Sequence, residues 1–159
     1  MRDHGKSQRA KTFAGYGDSF PCVVILVCDL DNNDLSTFVG QLNGILNACD
    51  PKPVTRFCLA IEEGEAWFLG DIPAIKMAYP KAVDAVLNSY ENDSICGTWE
   101  TLANAVYPGG SRALVAKGWQ AAGAEKSTWA EKITPYMDVA KNASLSFNEF
   151  KVELEALAK

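Results

Sequence analysis

Cys22 to Cys28, CVVILVC, is an unbroken apolar and β-branched run that stops abruptly at the polar stretch Asp29 to Asp34, DLDNND. A run of this kind is the pattern of a strand buried on both faces, as in parallel sheets. It predicts a central strand that delivers an aspartate at its carboxyl end. Next, Leu35, Phe38, Val39, Leu42, Ile45, Leu46 and Cys49 recur at helical spacing behind Asp34, a suitable N-cap. The segment Asp50 to Pro53, DPKP, ends that helix, and Val54 to Ile61 predicts a second strand with Phe57, Leu59 and Ile61 on one face. Strand, helix and strand in this order form a βαβ unit, so the strands are expected to be parallel with a right-handed crossover.

The remainder predicts helices: Ile75 to Leu87, Thr98 to Tyr107, Arg112 to Ala122, and a last one opened by a capping box of Ser146 and Glu149. In that last helix Phe147, Phe150, Leu154 and Leu157 share a face. The expected class is α/β, a small parallel sheet flanked by helices with a helical carboxy-terminal half.

With 159 residues, 48% apolar and 22% charged, the chain can build one core without disulfides, and disorder is excluded as its main state. No linker or repeat divides it, so residues 1–19 read as a flexible or partial amino-terminal segment and 20–159 as one domain. Five cysteines, Cys22, Cys28, Cys49, Cys58 and Cys96, form no C-x-x-C pair and predict a reducing, cytoplasmic setting. No apolar run is long enough to cross a membrane. The one histidine, His4, lies in the amino-terminal segment, which argues against Ser-His, Cys-His or histidine-rich metal chemistry. Carboxylates must carry any chemistry.

Charge is uneven. Residues 1–17 hold four bases and one acid, 18–99 four bases and twelve acids, and 100–159 seven of each, within a net charge of -5. In open parallel sheets ligands bind beyond the carboxyl ends of the strands. The first strand ends in Asp29, Asp31 and Asp34, and the second runs into Glu62, Glu63 and Glu65. Alternation puts Asp29 and Asp31 on one side of an extended segment, where two carboxylates repel unless a proton or cation lies between them. A hard divalent ion, Mg²⁺ or Mn²⁺, suits such oxygen ligands. The competing reading is turn chemistry, because Asp and Asn after a strand commonly form Asx-turns or cap the next helix. Glu62 and Glu63 read as solvated acids of a helix's first turn, with Glu65 open to either role.

Other motifs fail. An EF-hand would need Gly at Asp34 and a bidentate Glu at Gly40, and neither G-x-G-x-x-G nor a Walker A sequence occurs. The segment Pro108 to Ala113, PGGSRA, reads as a turn and helix start whose amides suit an anion. Trp67, Trp99, Trp119 and Trp129 read as packing residues in preference to base-stacking ones. Lys117, Lys126 and Lys132 with Arg112 read as a solvated helix face, with phosphate contact as the alternative.

The strand ending in D-x-D, the segment IEEGEAWFLGD, and the later KSTWAEKITPYMD and NASLSFNEF together resemble an uncharacterised bacterial group of Toprim-like proteins related to the Toprim half of OLD-family nucleases. The resemblance spans about residues 20–158. It implies a Toprim-type fold in which Asp29 and Asp31 are the metal-binding, catalytic acid pair, with Mg²⁺ serving phosphoryl transfer on nucleic acid. The family also uses a glutamate from an earlier strand. Here only 21 residues precede Cys22 and the first glutamate of the chain is Glu62, which implies a late start or a shortened relative. Glu65, with Glu62, is the replacement ligand this suggests, and Lys126 the residue that would meet phosphate. The alternative expectation is a non-catalytic interaction module beside an ATPase in a bacterial defence or mobile-element system, or a homo-oligomer, using the sheet edge left by the missing strand.

Overall fold

The computed structural model describes residues 22–158, so the amino-terminal segment 1–19 and His4 lie outside the described residues. The architecture is α/β: a two-stranded parallel sheet flanked by helices, followed by a helical carboxy-terminal half. Strand β1, Val23–Asp29, pairs with β2, Val54–Ala60, and helix α1, Leu35–Asn47, crosses between them. Leu26 lies opposite Phe57, Cys28 opposite Leu59, and Asp29 opposite Ala60.

Helix α1 forms where the sequence places it. Asp34 takes an extended conformation and accepts the Thr37 amide at 2.9 Å, Thr37 Oγ1 at 2.8 Å and Ser36 Oγ at 2.6 Å, the geometry of an N-cap. Those bonds hold its carboxyl down at a pKa of about 2. Phe38 and Leu42 bury against Leu30 and Leu59, with Leu26, Cys28, Phe57 and Ile61 packed around them. One face of the sheet is therefore closed by α1.

The other face corrects the expectation of a central strand. Among the described residues β2 is the one strand beside β1, and Val23 and Val27 are 39% and 46% exposed. An apolar run alone does not say how many layers cover it. On this face the carboxy-terminal helix reaches β2, where Arg56 Nε meets Glu153 Oε2 at 3.1 Å.

After β2 come short helices: α2, Glu65–Leu69; α3, Ile72–Ala78; α4, Asp84–Asn88; α5, Thr98–Val106; and α6, Gly110–Val115. The longer α7, Trp119–Ile133, and α8, Leu145–Leu157, complete the chain. Leu69, Ile75, Leu87, Leu102, Leu114, Trp129 and Ile133 form a second core that is entirely helical. The single helix expected over Ile75 to Leu87 is two, because Pro80 follows Tyr79 and removes the extended residue from helical continuation. The helix expected over Arg112 to Ala122 is also divided, at Gly118, whose φ of +92° suits glycine. The capping box of Ser146 and Glu149 is not formed. Ser144 is the N-cap, accepting the Phe147 amide at 3.1 Å.

Helix α8 is fastened to α2 rather than only laid against it. Trp67 stacks on Phe150 with centroids 5.1 Å apart, meets Phe147 edge-on at 5.6 Å, and donates Nε1–H to Ser146 Oγ at 2.9 Å. Asp93, at φ +56°, accepts from Ser144 Oγ, Ser146 Oγ and the Ser146 amide at 2.8, 3.0 and 2.9 Å. Among the described residues no helix is long and apolar enough to cross a membrane.

Candidate functional site

Because β1 and β2 are parallel and end in register, both following loops leave the same edge of the sheet. Pairing continues past the strands: the Leu30 amide donates to the Ala60 carbonyl at 2.9 Å and the Asp31 amide to the Glu62 carbonyl at 2.7 Å. Asp31 and Glu62 both adopt left-handed backbone, φ +51° and +58°. Such conformations are uncommon outside glycine and cost on the order of 1 kcal/mol each. Beyond these turns Asp29, from the end of β1, and Glu63, from the loop after β2, lie within electrostatic range of one another.

Asp29 Oδ1 accepts the Gly64 amide at 2.9 Å. Its surface remains partly exposed, and Oδ2 has no protein donor among the described residues. Desolvation pushes its carboxyl above the usual range, the Gly64 amide and Lys126 oppose that, and the Asp31 charge adds to it. Asp31 is outside the strand, so its nearness to Asp29 comes from the left-handed turn and not from strand alternation.

Glu65 opens α2 and is buried, with 7% exposure. Lys126, reaching from α7, places Nζ 3.1 Å from Glu63 Oε2 and 3.3 Å from Glu65 Oε2. The same ammonium lies 5.6 Å from the centroid of the Trp99 ring. Burial pushes Glu63 upward and the Lys126 bond and charge pull it back, while Glu65 and Asp29 raise it further. Burial works against the charge of Lys126, but Glu65 and Glu63 more than offset it and hold the ammonium above its ordinary value. Asp29, Asp31, Glu63, Glu65 and Lys126 therefore share one electrostatic field with an excess of negative charge.

Glu62 goes elsewhere. Its carboxylate accepts the amides of Cys96, Gly97 and Thr98 at 3.1, 3.0 and 2.8 Å, and the Thr98 hydroxyl, at the start of α5. Burial raises its pKa, yet these bonds outweigh burial and the net displacement is downward. Neither Glu62 nor Glu63 is the solvated first-turn acid expected: one caps α5 and the other pairs with Lys126. Lys126 itself is turned to carboxylates, not to an open basic face. The tryptophans divide as well. Trp129 and Trp99 are buried, whereas Trp119 is 77% exposed and touches Trp99 edge-on at 6.4 Å.

The sequence places Glu63 among the acids of this sheet edge but does not reveal its pairing with Lys126. Its spacing from Glu65, E-G-E, was the available signal, but the partner that gives it meaning is 63 positions away. Asp93 carried no local pattern at all.

The carboxylate oxygens suit a hard divalent ion in kind, and Asp29 with Asp31 suits the habit of Mg²⁺ to bind through one or two carboxylates and keep its waters. The fuller set expected with Glu65 is not assembled. Among the described residues no group of three or more His, Cys, Asp or Glu side chains is placed to share one metal ion, and Glu65 is engaged by Lys126. Compared with protein-family models, with curated proteins and with solved structures, the chain matches none.

Proposed function

We propose that this chain is a Toprim-like, cytoplasmic protein that binds Mg²⁺ or Mn²⁺ through Asp29 and Asp31 and serves as a nuclease-type subunit in phosphoryl transfer on nucleic acid. The observation that carries this reading is the alignment of two parallel strand ends, which brings Asp29, next to Asp31, into the field of Glu63, with one Asp29 oxygen lacking a protein donor among the described residues. A divalent ion held there supplies positive charge that positions and neutralises a phosphoryl group. The chain's own residues bind and orient: Asp29 and Asp31 hold the ion, the Gly64 amide fixes the Asp29 carboxyl, and Glu63 and Glu65 keep Lys126 at the rim. Calorimetric titration of Mn²⁺ into the wild type and into an Asp29→Asn/Asp31→Asn variant tests the assignment. Binding lost in the variant supports it, and equal affinity overturns it.

A second reading has its own observation. Leu35 and Val39 of α1, Phe57 and Leu59 of β2, and Leu145 and Glu149 of α8 line a groove beside β2. Leu145 is 73% exposed and Leu35 49%. An apolar groove of this kind suits a non-catalytic module that contacts an ATPase partner in a defence or mobile-element system, or a second copy of the chain. Light scattering of the wild type and Leu145→Glu tests self-association: a dimer dispersed by the substitution supports it, and a strict monomer removes that version.

A further inference from the structure

Glu63 and Glu65 are two carboxylates, 20% and 9% exposed in their side chains, turned towards one point. Carboxylates so placed repel unless a proton or a cation lies between them. The cation is present in the chain itself. Lys126 Nζ sits 3.1 and 3.3 Å from one oxygen of each, and its side chain is 31% exposed.

We infer that Lys126 is the resident cation of this site: its ammonium occupies the place of a divalent ion between Glu63 and Glu65 and keeps both carboxylates out of metal coordination. The inference deepens the reading above and rests on it in one respect, since the ion held off is the hard divalent ion assigned to Asp29 and Asp31. Three features favour a tethered lysine over a free ion here. The ammonium is attached to α7, so it is present at high effective concentration and loses little freedom on docking. Its position against the Trp99 face adds a cation–π contact that a hydrated Mg²⁺ would not make without losing water. Its single charge leaves the pair of acids with residual negative charge that extends to Asp29, so the cluster stays attractive to cations while Glu63 and Glu65 are closed. A divalent ion recruits these two acids only when Lys126 leaves.

The test is calorimetric titration of Mn²⁺ into the full chain as wild type, Lys126→Met, Lys126→Arg and Lys126→Met/Glu65→Gln, each with a thermal melt in EDTA and in Mn²⁺. Lys126→Met is expected to bind Mn²⁺ about tenfold or more tightly than the wild type, or to bind an additional equivalent. The gain should vanish in Lys126→Met/Glu65→Gln and be absent in Lys126→Arg, which keeps the charge. A folded Lys126→Met with wild-type Mn²⁺ affinity and stoichiometry overturns the inference. Where Lys126→Met is unfolded in EDTA, recovery of the folding transition in Mn²⁺ supports it and failure to recover overturns it. The two readings separate cleanly. A wild type that binds no Mn²⁺ beside a Lys126→Met that does removes the Asp29–Asp31 assignment and leaves the lysine inference standing, and the opposite pattern does the reverse.

Discussion

The Gly64 amide donates to Asp29 Oδ1 at 2.9 Å, which ties the loop after β2 to the last residue of β1 and fixes where the acid points. The same carboxylate is destabilised as an anion by desolvation and by Asp31, so its pKa lies above the usual value. A carboxyl with a raised folded pKa binds protons more tightly than in the unfolded chain, and its contribution to stability falls as pH rises through that raised value. Asp29→Asn keeps an oxygen for Gly64 and removes the charge. Its melting temperature should match the wild type below pH 4 (approximately the unperturbed value) and exceed it at neutral pH. Melting curves from pH 3 to 7 check this, and a variant less stable than the wild type at neutral pH contradicts it.

Glu62 predicts the opposite slope. Its carboxylate takes three amides and a hydroxyl at the start of α5, and its pKa is lowered overall. The stability it contributes is present above the unfolded carboxyl value and is lost as pH falls through the folded one. Glu62→Ala should cost about 1–3 kcal/mol at neutral pH, because it leaves a helix start without acceptors. Glu62→Gln, which keeps one acceptor oxygen, should cost less. Urea unfolding of the wild type and both variants at pH 7 and pH 4 measures each loss relative to the wild type, which should narrow at the lower pH.

The contrast between these two acids shows what was legible in the sequence. Strands β1 and β2, helix α1 and its Asp34 cap follow from local periodicity and capping chemistry, and the parallel pairing follows from the length of the crossover. That acids would gather at one sheet edge follows from the same topology. Which acid would face which partner does not. Glu62, Glu63 and Glu65 look alike in sequence, and they are separated only by a left-handed residue at Glu62 and by partners that lie far along the chain, Thr98 for one and Lys126 for the others. Likewise the apolar run of β1 reports that the strand is hydrophobic, while the 46% exposure of Val27 depends on how far α8 extends over the sheet.

Gly70 marks the junction between α2 and the segment leading into α8. A Cβ there would meet the Ser144 amide nitrogen at 2.8 Å and Ser144 Cβ at 2.9 Å, and would overlap Asn142 Oδ1. The Gly70 carbonyl also accepts the Ala143 amide at 2.8 Å, so the two backbones cannot separate without losing that bond. Asn142 Nδ2–H donates to the Trp67 carbonyl at 2.7 Å, which fixes the side chain that would have to yield. Gly70→Ala should therefore destabilise by about 2 kcal/mol or more, as overpacking against backbone does. Chemical denaturation checks the value. A loss below the scatter of surface substitutions would mean that the junction gives way easily.

Tyr79 offers a substitution expected to help. Its hydroxyl is buried with no hydrogen-bond partner among the described residues, and burial, with a smaller push from the Glu125 charge, raises its pKa to about 12. An unpaired buried hydroxyl carries a desolvation cost without a compensating bond. The ring does separate work: it packs against the helical core and lies 5.5 Å from Lys132 Nζ. Tyr79→Phe retains the ring and the cation contact and removes only the unpaired oxygen. The variant should be as stable as the wild type or more stable by about 1 kcal/mol. Tyr79→Ala should instead lose about 3 kcal/mol through the cavity it leaves. Comparing the two by urea unfolding separates ring packing from hydroxyl desolvation, and a Tyr79→Phe variant destabilised by more than about 1 kcal/mol would show that the hydroxyl is hydrogen-bonded in solution.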